Sequence, residues 1–234
     1  MVSKLLKSRA LMALVGVLFF VACTTKPEVY WERLEIKTNE KGVNADITYP
    51  YIFGGVDSVS DKINDTIRCF YTSWIANADR SCSIDSCLTL LREEKQADSI
   101  IAHIEYQILG NGDFFVKGDT VSVWCEKQYY MGGANFMIDN VYLNFNSNTG
   151  ELIPNKSLVK DSVKVKTLIS KYLKENYLPV DGYSCFFSDF DVDSPQLPEM
   201  IGLDSTGYVF IYNVYEIAPR STGVIKFNVP FSGL

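Results

Sequence analysis

What most limits the folds open to this chain is the way its hydrophobic period switches. Across residues 57–78 apolar side chains return at Val59, Ile63, Ile67, Phe70, Tyr71, Trp74 and Ile75, steps of three and four that mark one face of an amphipathic helix. On its amino-terminal side the spacing is that of strands. Residues 29–38 and 43–51 flank the turn signal Asn39-Glu40-Lys41-Gly42, a hairpin that opens the fold. A second helix is predicted over 86–98 with Asp85 as its N-cap. Residues 100–109 and 114–130 then turn aromatic and β-branched around Gly110-Asn111-Gly112-Asp113, which reads as a turn between strands. A strand over 137–146, a turn at Asn148-Thr149-Gly150, a helix over 159–177 and strands over 208–215 and 223–231 complete the pattern. Strands joined by short turns with few crossovers predict an α+β fold of antiparallel sheets with packed helices. The expected layout is a small amino-terminal module, 29–128, fused to a larger carboxy-terminal domain, 129–234.

The first residues follow a different logic. Lys4, Lys7 and Arg9 form a cationic segment, and residues 10–22 run 13 positions without a charge. A spanning helix needs about 20 apolar residues, so this run fits the hydrophobic region of a signal peptide covering 1–22. Phe20-Val21-Ala22-Cys23 resembles a bacterial lipobox, in which the cysteine is acylated, by palmitate-type chains among others, and becomes the new first residue. Cys23 is thus the expected lipidation site and 23–28 a lipidated linker, with the membrane as a partner through that anchor. Thr24, rather than an acid, follows the cysteine, which places the protein in the cell envelope, on the outer rather than the inner membrane.

Charge narrows the partners. The whole chain carries −6; without residues 1–22, which hold three cations and no acid, it carries −9. Nucleic acid is set aside, because phosphate backbones need clustered cations. A single histidine, His103, leaves most acid–base and zinc chemistry without its usual side chain, and it reads as a structural residue of a strand. No metal site and no cofactor are expected: Asp189, Asp191 and Asp193 alternate as in a calcium loop, but Ser194 and Met200 stand where that loop needs Gly and Glu. Cys82 and Cys87 bracket Ser-Ile-Asp-Ser, and their spacing in an exported chain predicts a disulfide.

Three further runs carry a family resemblance: Tyr129-Tyr130-Met131-Gly132-Gly133-Ala134-Asn135, Asn144-Phe145-Asn146-Ser147-Asn148-Thr149-Gly150, and residues 208–219 ending Tyr215-Glu216-Ile217-Ala218-Pro219. In this order they resemble the exported domain shared by the lysozyme-sensing anti-sigma factor RsiV and the peptidoglycan deacetylase PdaC. The resemblance extends to the closing run around Val229-Pro230-Phe231 and, for the smaller module before it, to Tyr49-Pro50-Tyr51 and Lys62-Ile63-Asn64-Asp65-Thr66-Ile67. Where that family has His after Gly-Gly-Ala, this chain has Asn135, which removes the side chain there able to titrate near neutrality. Nothing here matches the sigma-binding segment or the catalytic domain of those relatives, so the expectation is a stand-alone binding module.

The residues themselves leave the chemistry open. Gly132-Gly133 beside Tyr129, Tyr130 and Phe136 fits a strand-ending turn, with an aromatic binding surface as the rival reading. Glu216 sits among apolar neighbours with no second carboxylate adjacent in sequence, and reads as a structural acid bonded to backbone. The expected function is that of a non-enzymatic envelope lipoprotein binding an extracytoplasmic ligand, a basic wall-active protein such as lysozyme or a peptidoglycan-type glycan, through Tyr129, Tyr130, Gly132, Gly133, Asn135, Tyr215 and Glu216. The alternative is a cell-wall glycan hydrolase or an accessory protein of deacetylation.

Overall fold

The computed structural model describes residues 29–75, 82–177 and 185–233; the signal segment, Cys23 and the linker to residue 28 lie outside them. Strands β1 (Val29–Glu40) and β2 (Val43–Gly54) form the opening hairpin. Its two-residue turn places Lys41 and Gly42 at φ 52° and 72°, the left-handed pair that suits the twist of a tight hairpin. Helices α1 (Asp57–Thr72) and α2 (Ile84–Ala97) follow, and then β3 (Tyr106–Lys117), β4 (Thr120–Tyr130), β5 (Met137–Asn146) and the short β6 (Leu152–Ile153). These six strands make one sheet in sequence order, antiparallel except where β2 meets β3 across the helical crossover. After a 3-10 turn at Asn155–Leu158, α3 (Ser162–Tyr177) precedes a second, three-stranded antiparallel sheet of β7 (Met200–Leu203), β8 (Gly207–Tyr212) and β9 (Ile225–Pro230). The fold is α+β, as the periodicity requires.

Each helix buries the stripe that its spacing marks. Ile63, Ile67 and Tyr71 of α1 and Leu88 and Leu91 of α2 pack on Val43, Ala45, Ile47, Ile108 and Val123 of the large sheet, while Val165, Ile169 and Leu173 of α3 pack on Ile201, Phe210, Tyr212 and Phe227. Tyr142, Val209 and Ile211 form a third cluster, with Trp124 and Met200 packed against it, where the two sheets meet. Buried polar groups fasten that junction. Ser122 Oγ accepts the Leu203 N–H at 2.8 Å, and Asn144 Nδ2 donates to the Ile201 carbonyl at 2.8 Å, so the backbone of β7 is satisfied away from water.

Several local expectations are corrected. Gly110-Asn111-Gly112-Asp113 is no turn: β3 runs through it, paired to β4 from Gln107↔Tyr130 to Lys117↔Thr120, and the reversal falls at Gly118 and Asp119. The glycines are there for packing, since a Cβ on Gly110 would meet Ile47 Cγ2 at 2.6 Å and one on Gly112 would meet Pro50 Cδ at 2.6 Å and Tyr71 Oη at 2.8 Å. Residues 100–104 form turns rather than a strand, with His103 exposed and Ile101 and Ile104 half-buried against the core. Ser83, not Asp85, caps α2, its Oγ accepting the Ser86 N–H at 3.1 Å. The boundary expected at 128 and 129 falls inside β4, whose hydrogen bonds to β3 and β5 continue across it.

The predicted Cys82–Cys87 bridge is not made. Neither forms a disulfide, nor do Cys69, Cys125 and Cys185 among the described residues. Cys87 lies in the first turn of α2, where its N–H bonds the Ser83 carbonyl at 2.9 Å, and its side chain meets that of Cys82 as a hydrogen-bonded neighbour. Burial, then that contact, pushes the Cys87 thiol up to about 12, which keeps it protonated and unreactive.

Candidate functional site

Two connections frame a single concavity. The first leaves β4 at Tyr130 and enters β5 at Met137; within it Gly132 has φ 85°, and a Cβ there would meet Ile104 Cδ1 at 2.7 Å. Only glycine fits both demands. Gly133 is different: nothing lies within 4 Å of the place its Cβ would occupy, so that stretch of backbone is open to an approaching molecule.

The second connection follows β8. Asn213 pins it to β5 by a reciprocal pair of bonds, its Oδ1 accepting the Asn140 N–H at 3.0 Å and its Nδ2 donating to the Asn140 carbonyl at 2.9 Å. Glu216 closes the turn, with Oε2 accepting the Asn213 N–H at 2.8 Å and Oε1 the Glu199 N–H at 3.4 Å. Loss of solvation raises its pKa, while these two backbone bonds pull the other way. Its carboxylate is therefore spent on shaping the loop, which is the structural role its surroundings suggested. Between Asn213 and Glu216 the chain must turn sharply, and Tyr215 adopts φ 66° with 58% of its surface exposed. A non-glycine residue held in the left-handed region is strained by about 1–2 kcal/mol, and here it carries a large aromatic ring into solvent.

Tyr129, Met131, Gly132, Gly133, Asn135 and Met137 from the first connection, with Tyr215 and Arg220 from the second, line one open bowl of about 360 Å³. The sequence-predicted residues are thus largely brought together. Tyr130 is not on the bowl's wall; its ring packs on Phe136 with centroids 5.5 Å apart. Glu216 lies behind it as the loop's staple. Tyr129 is backed by Trp74, stacked at 5.8 Å, and burial, with Asp139 adding to it, raises its phenol pKa so that it remains a neutral hydroxyl.

Arg220 was not foreseen, nor were Met131 and Met137 assigned a role. The signal available for Arg220 was its isolation: it is the single basic residue between Lys174 and Lys226. It opens a 3-10 turn, Arg220–Thr222, and adds a cation to a bowl whose other side chains are aromatic, apolar or, at Asn135, a neutral amide. Among the described residues there is no cluster of His, Cys, Asp or Glu able to hold a metal ion, and Asp193, in the acidic loop, pairs with Lys174.

Comparison with known proteins places the fold. Residues 156–232, the span of α3 and the three-stranded sheet, match the family model described as "Protein of unknown function (DUF3298)". Among solved structures, the chain is similar to a DUF3298 family protein from Pseudomonas aeruginosa, with a TM-score of 0.62, 14% identity and coverage of 88% of this chain and 93% of that one. It is also similar to a member of the DUF3298 family from Bacteroides fragilis, with a TM-score of 0.55, 16% identity and coverage of 88% and 91%. No curated protein matches the sequence significantly. The likeness is one of fold, and it spans both sheets.

Proposed function

We propose that this protein is a lipid-anchored component of the cell envelope that binds an extracytoplasmic protein through the bowl at Tyr129, Gly133, Asn135, Tyr215 and Arg220. The observation that carries the reading is convergence: the Tyr129–Asn135 run and the strained Tyr215, distant in sequence, share one open surface. Its composition supports a protein partner over a glycan. Tyrosine, methionine and arginine are the residues enriched at the buried centres of protein interfaces, and methionine adapts to an irregular partner surface. The lipid anchor rests on Cys23 and its apolar leader, and the resemblance to lysozyme-sensing exported domains makes lysozyme the first partner to try. A mature charge of −9 attracts such basic proteins from a distance and speeds encounter at low salt.

The test uses residues 24–234 on a biosensor surface against lysozyme and, separately, soluble peptidoglycan fragments. Saturable lysozyme binding is expected, with an on-rate that falls as salt rises. Tyr215→Gly and Arg220→Ala should each weaken it tenfold or more without lowering the urea midpoint. Binding that ignores both substitutions, or that occurs with the glycan alone, sinks the proposal; turnover of the glycan would favour the hydrolase.

A further inference from the structure

A second cavity lies where β1 begins and β2 ends. Val29, Trp31, Ile52, Val56, Ile63 and Val121 line a hollow of about 410 Å³, within the size range of small-molecule sites, roughly 300–1,000 Å³. Its floor is sealed: Ile52, Ile63 and Val121 are all buried. Val29 and Val56 are exposed apolar residues of its lining, which also includes Ser147 and the exposed Asn148. The polar side chain deepest in the wall, Ser60, already donates its hydroxyl to the Gly54 carbonyl at 2.6 Å, so it asks nothing of a ligand. A floor of this kind rewards methylene groups and offers little to a polar molecule.

We propose that this cavity holds one acyl chain carried by Cys23 of the same protein, an inference that rests on the lipoprotein reading. Val29 is at once the first residue of β1 and a wall of the hollow. Cys23 precedes it by six positions, a tether that reaches at most about 21 Å at roughly 3.5 Å per residue. A chain so tethered meets the cavity at an effective concentration in the millimolar range. Taking about 30 Å³ for each methylene-sized group, the share of a water molecule in its liquid, the space accepts about a dozen carbons. One chain enters and the anchor's others stay in the bilayer. The consequence is orientation: the β1 end of the domain is seated on the membrane instead of swinging on a free linker.

Unacylated residues 24–234 should take up sodium laurate saturably, with a change in Trp31 emission that Trp31→Phe abolishes. Val56→Asp should weaken uptake at least tenfold while leaving the urea midpoint unchanged or higher, because Val56 is the N-cap of α1 and makes no capping bond there, which aspartate can supply. Mature protein in nanodiscs, its acylation read from intact mass, should show residues 56–63 already as protected from hydrogen exchange as in the laurate complex. No uptake by the unacylated domain overturns the proposal. So does an acylated protein in which 56–63 exchange as fast as in the empty domain. An intact mass showing Cys23 unmodified removes the anchor itself, whatever the laurate result, and identifies that premise as the one that failed.

Discussion

Tyr215 shows how one residue can be costly to the fold and still stand exposed at a surface. Its φ of 66° is one that glycine adopts freely, yet glycine also loses more entropy on folding. Tyr215→Gly should therefore leave stability unchanged or raise it by up to about 1 kcal/mol, measured by urea unfolding, while removing the ring that the bowl presents. The thiols argue in the other direction, from burial. Cys87 and Cys125 are both pushed up to about 12 by desolvation, against about 8.5 for a free thiol. In the native protein at pH 8, iodoacetamide should leave both unmodified, and mass spectrometry should find them labelled only after denaturation. Since the unfolded thiols lose their protons first, the unfolded state binds fewer protons above pH 9 and stability must fall with rising pH. The phenols of Tyr71, Tyr142 and Tyr212, also raised by burial, act in the same sense. Urea midpoints should decline steadily from pH 9 towards 12, and Cys125→Ala should flatten that decline.

Among the elements, β3 is where the sequence misleads. Gly-Asn-Gly-Asp is strong turn chemistry, but the partners that make it a strand, Pro50, Ile47 and Tyr71, come from β2 and α1. The Tyr71 hydroxyl donates to the Asn111 carbonyl at 2.6 Å, so the ring lies against backbone that only glycine leaves bare. Gly112→Ala should cost about 1–3 kcal/mol by overpacking, read as a lower denaturation midpoint; an unchanged midpoint would mean that the glycine serves the chain direction and not the ring. Lys127 has a comparable hidden role at the end of α1. Buried on β4, its ammonium donates to the Phe70 carbonyl at 3.1 Å and to Ser73 Oγ at 2.6 Å, satisfying a helix terminus as cations do.

At the scale of the whole molecule, the two sheets behave as one body because their contact is both apolar and hydrogen-bonded. A Cβ on Gly202 would land inside the Tyr142 ring, and the bonds from the Leu203 N–H to Ser122 and from Asn144 to the Ile201 carbonyl lie in the same junction. Gly202→Ala should destabilise by about 3 kcal/mol, the upper part of the usual overpacking range, and should also weaken partner binding, because the bowl needs both connections in register. Calorimetry of the wild type should show one cooperative transition, with the substitution lowering its midpoint.

The sequence by itself determined the elements whose signal is local. The opening hairpin, the buried stripes of α1 and α3 and the structural role of Glu216 follow from period, turn chemistry and the apolar neighbours of one acid. The run Tyr129–Asn135 was legible as a strand-ending turn with aromatic residues beside it, since its aromatic and glycine composition is contiguous. The tertiary structure alone decided that β3 continues through two glycines, that Cys82 and Cys87 remain thiols, and that Arg220 joins Tyr215 on the wall of the bowl. The β3 path and the bowl depend on which distant atoms arrive within a few ångströms, the Tyr71 ring at β3 and the Asn213–Asn140 clasp at the loop, whereas at Cys87 it is the first helical turn that forms there. The two distant approaches are fixed by packing between elements, and no spacing along one chain encodes them.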